Sequence, residues 1–283
     1  MDSIHLSEIM QQFAYANELY EKTEFEKSKK ILVSLIEEVE SFYHNLDGNF
    51  YSFGHVSEVY MFLYIKNKDK KIEDLNIRFT EIDLSMFYRL LGLCNIHLGR
   101  KQDAIKAYDA ALKWNPVDLD SLFQIIELYK AVGRIDSVRK AAKEAYSYCC
   151  TRATLAHYYR DIGFYYLEKY KPEVAVAAYQ YSNIFYYHDS AKKELEYLNN
   201  TKAEPYPEYS VSELQKILSS ENIPLGPSKE TVQLLLQLGD LEFEQGEFVA
   251  AKDCYTMIYD LIKDAEIEDK LRQVNAKINM EES

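Results

Sequence analysis

Histidine, cysteine and carboxylate side chains most often carry catalysis or bind metal ions, and this sequence scatters them along its whole length. None of the motifs GxxxxGK(S/T), GxGxxG, HExxH, GxSxG or CxxC occurs. No acid–base pair has the spacing of an active site. The six histidines stand at isolated positions: His5, His44, His55, His97, His157 and His188. We therefore predict that the protein is not an enzyme and has no catalytic residues, no metal site and no cofactor.

The cysteines also indicate structure rather than chemistry. Three of the four fall in apolar stretches with helical spacing, where cysteine is usually a small buried hydrophobe. Their spacing shows no disulfide framework, so we predict reduced thiols. The four are Cys94, Cys149, Cys150 and Cys254.

Composition and charge narrow the class of protein. The chain has 283 residues and a formal net charge of −13, with lysine and arginine interspersed among the acidic residues. Such a charge opposes non-specific contact with phosphate backbones and anionic lipid. No stretch reaches the roughly 18 apolar residues of a membrane span, and the first residues lack the features of a signal peptide. We therefore predict a cytoplasmic protein that binds neither nucleic acid nor membrane.

Three glycines mark a repeat. Gly92, Gly163 and Gly239 are each followed by an alanine twelve residues later and by a tyrosine sixteen residues later. The alanines are Ala104, Ala175 and Ala251, and the tyrosines are Tyr108, Tyr179 and Tyr255. A small residue facing a large ring is what two closely packed helices need. The recurring spacing of glycine, alanine and tyrosine therefore predicts a helical hairpin that is repeated along the chain.

The first of these blocks, FYRLLGLCNIHLGRKQDAIKAYDAALKWNP, resembles a tetratricopeptide repeat. The matching residues are Tyr88, Leu91, Gly92, Gly99, Ala104, Tyr108, Ala111 and Pro116. Only the aromatic residue that the family places at the position of Asn95 is missing. The resemblance implies an all-α fold, an α-solenoid in which antiparallel helical hairpins form a right-handed superhelix. The motif encodes helix packing and carries no chemistry by itself.

Advancing by the family's period of about 34 residues extends the resemblance to most of the chain. A first domain is predicted at residues 1–198, with repeat units near 9–42, 85–118, 119–152 and 156–189 and a degenerate hairpin in 43–84. Residues 199–231 are predicted to be a linker with a degenerate helical hairpin, and the best candidate for a hinge. Residues 232–283 are predicted to hold a C-terminal repeat and a capping helix.

In the resembled family, the first helix of each hairpin lines a concave groove where partner peptides or helices bind. The positions carried over to this sequence are Arg89, Leu93, Phe123, Lys130, Arg160, Phe164, Leu236 and Phe243. The apolar residues among them are more numerous than a solvent-exposed face requires. The two arginines could bind a carboxylate or a backbone carbonyl of a bound peptide. An alternative stays open, in which the arginines pair with acidic residues of adjacent helices and the apolar residues contact the chain itself.

The aromatic residues of the third unit divide between core and surface. Tyr159, Tyr166 and Tyr179 take positions that the hairpin needs for large packing residues, so we predict that they are buried. Tyr170 stands where the family usually has its turn glycine. Phe164 is the ring of this stretch that the register turns toward the groove.

The resemblance implies a non-catalytic scaffold that binds a peptide or helical segment of a partner protein in the groove. The alternative is a peptide-sensing regulatory protein related to transcription regulators, although residues 1–42 fit a repeat and show no clear DNA-binding domain. An enzyme is a third possibility. Self-association, through the repeat ends or the groove, is also left open.

Overall fold

A computed structural model describes residues 3–54, 56–69, 76–200 and 205–281. The described chain is almost entirely helical, which confirms the prediction of an all-α protein. Its helices are α1 (Ser3–Glu21), α2 (Phe25–His44), α3 (Val56–Met61), α4 (Leu84–His97), α5 (Lys101–Trp114), α6 (Leu119–Ala131), α7 (Ile135–Tyr146), α8 (Arg152–Glu168), α9 (Pro172–Phe185), α10 (Asp189–Asn200), α11 (Val211–Ser220), α12 (Lys229–Gln245), α13 (Phe248–Ile262) and α14 (Ala265–Glu281). A π-helical turn, Phe62–Lys66, continues α3, and two short strands are β1 (Asn49–Tyr51) and β2 (Ile77–Phe79).

The chain divides into two compact units, Met1–Arg134 and Ile135–Ser283. The first unit holds α1 to α6, and the second holds α7 to α14. The predicted repeat 119–152 therefore supplies its two helices, α6 and α7, to different units. The predicted linker, 199–231, lies inside the second unit.

Three hairpins are built on the same glycine–tyrosine contact. Helix α4 packs on α5, α8 on α9, and α12 on α13. At each crossing a glycine of the first helix lies against a tyrosine ring of the second, and the alanine of the repeat is fully buried. The pairs are Gly92 with Tyr108, Gly163 with Tyr179, and Gly239 with Tyr255. All three rings are buried, and burying one large side chain stabilises the fold by about 1.5–3 kcal/mol.

The hairpin turns share one hydrogen-bonded geometry. In the α4–α5 turn, the Arg100 N–H donates to the carbonyl oxygen of Asn95 at 2.8 Å. The residue before that donor, Gly99, has a positive φ of 73°. This bond closes the first helix with a left-handed residue, which is most often glycine. Tyr170 keeps the same geometry in the α8–α9 turn with a φ of 58°, as Thr23 does in the α1–α2 turn with a φ of 61°.

The segment 43–84 differs from its prediction. We expected a degenerate helical hairpin, but α3 and its π-helical turn are flanked by the two strands, which pair in parallel with Phe50 opposite Arg78. The strand end is fastened to the core, because the buried Ser52 donates its N–H to the carbonyl oxygen of Trp114 at 2.9 Å. Its hydroxyl also donates to the carbonyl oxygen of Ile82 at 2.7 Å. Residues 70–75 of this segment lie outside the described residues.

The segment that was expected to be a hinge is fastened to α8. The Ser210 hydroxyl accepts a hydrogen bond from the Glu213 N–H, and the Glu213 carboxylate accepts one from the Ser210 N–H, so α11 begins with a capping box. Beyond α11, the Tyr159 hydroxyl accepts from the Gly226 N–H and donates to the carbonyl oxygen of Pro224, both at 2.9 Å. The Tyr146 hydroxyl donates to the carbonyl oxygen of Gly226 at 3.1 Å. The residues between α11 and α12 are thus hydrogen-bonded to α7 and α8.

The tyrosines of the third unit follow the repeat register. Tyr159, Tyr166 and Tyr179 are buried, as predicted. Tyr158 is also buried, with its ring centroid 4.9 Å from that of Tyr146 on α7. The register therefore correctly identified Tyr159, Tyr166 and Tyr179 as core rings.

Candidate binding surface

The crossing glycines define three equivalent positions on α4, α8 and α12, which we call the first-helix stripe. These positions lie three residues before the glycine, one residue after it and four residues after it. All nine side chains are half-buried, and six of them are apolar. They are Arg89, Leu93 and Ile96 on α4; Arg160, Phe164 and Leu167 on α8; and Leu236, Asp240 and Phe243 on α12. Six of the eight residues that the sequence selected belong to this stripe.

On α4, the arginine of the stripe is held by the chain itself. The Arg89 guanidinium lies 2.9 Å from the carboxylate of Asp118, which is 2% exposed, and 3.6 Å from that of Asp83. Burial lowers the pKa of Arg89, but the attraction and hydrogen bond of Asp118, together with the attraction of Asp83 and Asp120, more than reverse this effect, so the pKa ends above its ordinary value. Arg89 therefore stays charged and joins the start of α4 to the start of α6. These contacts favour the alternative in which the arginine pairs with acidic residues of adjacent helices.

On α8, the stripe combines a cation with apolar side chains. Arg160, Phe164 and Leu167 are half-buried, one helical turn after another. The neighbouring Asp161 is fully buried, and its carboxylate lies 3.7 Å from Nε2 of His157. This part of the surface therefore offers apolar contact area beside charged groups.

On α12, the stripe is partly covered by α14. The Asp240 carboxylate accepts hydrogen bonds from the Tyr255 hydroxyl at 2.6 Å and from the Lys270 ammonium group of α14 at 2.7 Å. Leu236 and Phe243 pack at the edge of a core cluster to which α14 contributes buried apolar residues. The last hairpin thus uses its stripe to dock a helix of its own chain, which was the alternative considered for the apolar residues.

Phe123 and Lys130 on α6 do not form a comparable surface. Phe123 was predicted to face a groove, but it is 7% exposed and therefore buried. The Lys130 ammonium group donates to the carboxylate of Glu127 at 2.6 Å. Phe123 is thus withdrawn from the set of surface contacts.

A pocket in the first unit was missed by the sequence reasoning. It has a volume of about 570 Å³ and lies where the end of α2, strand β1 and the end of α5 meet. Two of its lining residues carried a sequence signal. Trp114 is the only tryptophan of the chain, and Phe50 belongs to the aromatic run NFYSF. Phe50 lies in the segment 43–84, which was expected to be helical, whereas Trp114 lies at the end of the matched hairpin.

His97 and two of the cysteines have structural surroundings. The His97 ring stacks on Phe25 with centroids 4.4 Å apart, and its Nε2 lies 3.1 Å from the Tyr20 hydroxyl. The four cysteines are free thiols. Burial raises the pKa of Cys94 and of Cys149, and both are fully buried. A thiol in such surroundings is a poor nucleophile, since the thiolate is the reactive form.

Comparison with known proteins supports one part of the chain directly. The family model of the tetratricopeptide repeat matches residues 85–116, which contain the α4–α5 hairpin. No curated protein matches the chain. Within the described ranges, none of the helices combines the length and apolar character needed to cross a membrane.

Proteins with this repeat share a general role. Tetratricopeptide repeats generally mediate protein–protein interactions, and the family is usually non-catalytic. The glycine–tyrosine crossing of the matched hairpin recurs in α8–α9 and α12–α13. The matched α4–α5 hairpin is thus a tetratricopeptide repeat, and through it the chain is similar to the tetratricopeptide repeat family.

Proposed function

We propose that the protein is a non-catalytic interaction scaffold that binds a peptide or helical segment of a partner protein on the first-helix stripe. The observation that carries this proposal is the repeated half-burial of the stripe. Six apolar side chains at equivalent positions of three first helices keep part of their surface in water.

The stripe has the spacing that a helical or extended guest needs. Its members recur at intervals of three to four residues along one helix, so they form a continuous strip along that helix. On α4 the apolar members are Leu93 and Ile96, and on α8 they are Phe164 and Leu167. Because α14 covers part of the stripe on α12, we propose that a partner binds to the stripe on α4 or to the stripe on α8, each of which lies within one unit.

The experiment separates the stripe from other exposed apolar residues. Peptides are selected from a random displayed library on the full chain, and their affinities are measured by calorimetry. Leu93→Gln and Phe164→Gln are expected to weaken binding of the selected peptides at least about tenfold, about 1.4 kcal/mol. Val249→Gln is the matched control, because Val249 is 66% exposed on α13, outside any first helix.

Helicity and melting temperature of each variant are recorded alongside affinity. Peptides that bind both stripe variants as tightly as the wild type would remove the stripe from consideration. Retention of the purified chain on duplex DNA at moderate salt would instead favour the alternative of a regulatory protein related to transcription regulators.

A further inference from the structure

The pocket at the end of α2 has the features of a binding site separate from the first-helix stripe. Its volume of about 570 Å³ falls within the range of pockets that hold small molecules or single side chains. The lining comes from the ends of α2 and α5, from α4, from strand β1 and from the turn before that strand. All of them belong to the first unit.

One carboxylate is fixed in this pocket by two neutral donors. Oε1 of Glu40 accepts a hydrogen bond from the Tyr88 hydroxyl at 2.6 Å and another from Nε1 of Trp114 at 2.9 Å. Burial raises the pKa of Tyr88 and the bond to Glu40 raises it further, so the phenol remains a donor at neutral pH. Both bonds end on Oε1, which leaves the lone pairs of Oε2 for a ligand.

The walls of the pocket are aromatic rings held in fixed positions. The Tyr43 ring centroid lies 5.2 Å from that of Phe50 and 6.2 Å from that of Trp114. Tyr43 and Trp114 are buried, and the Tyr43 hydroxyl accepts a hydrogen bond from the Glu81 N–H at 3.0 Å. Rings that are already immobilised lose little entropy when a ligand binds.

The charges at the pocket favour a cationic ligand over an anionic one. A carboxylate and the face of an aromatic ring both attract a cation. One cation already lies near these rings, because the Arg78 guanidinium is 5.9 Å from the centroid of Phe50. Lys113 also lines the pocket, but its side chain is exposed. Its positive charge acts on Asp109 as well, because it opposes the rise that burial causes in the pKa of the Asp109 carboxyl. An anion would approach the Glu40 carboxylate within a chain of net charge −13.

We propose that this pocket binds a cationic side chain, an arginine or lysine of a partner peptide, between its aromatic rings and the Glu40 carboxylate. The bound cation would donate a charge-assisted hydrogen bond to Oε2 and lie against the ring of Trp114, since Arg78 already lies near the Phe50 ring. A hydrogen-bonded carboxylate could instead serve only to fasten α2 to α4 and α5. The two roles predict different behaviour when the charge of Glu40 is removed but its acceptor oxygen is kept.

The single tryptophan makes the test specific. Fluorescence of Trp114, excited where tyrosine does not absorb, is followed while the full chain is titrated with acetyl-Gly-Arg-Gly-amide up to about 10 mM. Parallel titrations use the same peptide with lysine, with neutral citrulline or with glutamate in place of arginine. A saturable change is expected with arginine and lysine, and none with citrulline or glutamate.

The variant Glu40→Gln keeps an oxygen that accepts from Tyr88 and Trp114, and it is expected to bind the arginine peptide at least about tenfold more weakly. Glu37→Gln is the matched control, because it removes the same charge from an exposed position of α2 outside the pocket. The proposal is overturned if the arginine peptide gives no saturable change, or if the citrulline peptide binds as tightly as the arginine peptide. It is also overturned if Glu40→Gln and Glu37→Gln both bind the arginine peptide as tightly as the wild type.

Discussion

A Cβ atom added to Gly92 would lie 2.6 Å from Cε2 of the Tyr108 ring, which is closer than two such carbon atoms can approach. The same relationship joins Gly163 to Tyr179 at 2.9 Å and Gly239 to Tyr255 at 2.7 Å. In each hairpin the second helix therefore lies against the backbone of the first, and the tyrosine fills the space that the missing side chain leaves. The glycine is selected by this close approach, since it sits inside a helix where alanine has the better intrinsic propensity.

Gly92→Ala is therefore expected to destabilise the protein by about 1–3 kcal/mol, because the buried Tyr108 ring has to move. Unfolding in urea, followed by circular dichroism, measures the change. The double variant Gly92→Ala with Tyr108→Leu provides the control, since the smaller side chain leaves room for the added methyl group. A single variant as stable as the wild type would show that the crossing tolerates a Cβ atom.

Tyr170→Gly is expected to stabilise the protein by about 1 kcal/mol, which thermal melting measures. Tyr170 holds a left-handed conformation with a φ of 58°, and its side chain is 93% exposed, so the replacement relieves strain and removes little packing. Glycine in place of tyrosine also makes the unfolded chain more flexible, which reduces the gain. The reverse change at an equivalent turn, Gly99→Ala, should lower the melting temperature, since φ at Gly99 is 73°. A lower melting temperature for Tyr170→Gly would contradict this account.

The hairpins could be predicted from the sequence because their packing is local and repeats. A glycine in one helix and a tyrosine sixteen residues later belong to the same hairpin. The residues that let the two helices approach closely can therefore be recognised within a short stretch of sequence. The turn at Tyr170 was recognised for the same reason: the register showed where a left-handed residue was needed, although the residue itself is not glycine.

The two strands could not be predicted in the same way. Each has three residues, and the register pairs Asn49 with Ile77, so neither strand contains a pattern long enough to distinguish it from a loop. Their position depends on Ser52, whose N–H bonds to the carbonyl oxygen of Trp114, far along the chain. Long-range contacts of this kind leave no periodicity in the sequence.

The candidate sites show the same limit. Arg89 was correctly placed on the first helix, but its role is decided by Asp118 at the start of α6. Phe123 follows the helical register of the stripe and is nevertheless buried, because burial depends on packing beyond its own helix. Glu40 looks like one more carboxylate on a polar helix face until Tyr88 and Trp114 donate to it.

The buried tyrosines predict a loss of stability at high pH. Burial raises the pKa of Tyr158 well above its ordinary value of 10.0, and it raises that of Tyr146 to about 12. Phenols of the unfolded chain ionise near pH 10, whereas these phenols stay neutral in the folded protein. The unfolded state therefore binds fewer protons above pH 10, and stability falls as the pH rises toward the folded pKa values, by about 1.4 kcal/mol per pH unit for each phenol.

Tyr158→Phe removes one of these phenols, and no change of charge accompanies unfolding at that position. Its free energy of unfolding, measured in urea at about pH 7, 10 and 11.5, should fall less steeply than that of the wild type above pH 10. Tyr170→Phe serves as the control, because a side chain that is 93% exposed is hydrated in both the folded and the unfolded protein. Parallel curves for the wild type and Tyr158→Phe would show that ionisation of this buried ring does not limit alkaline stability.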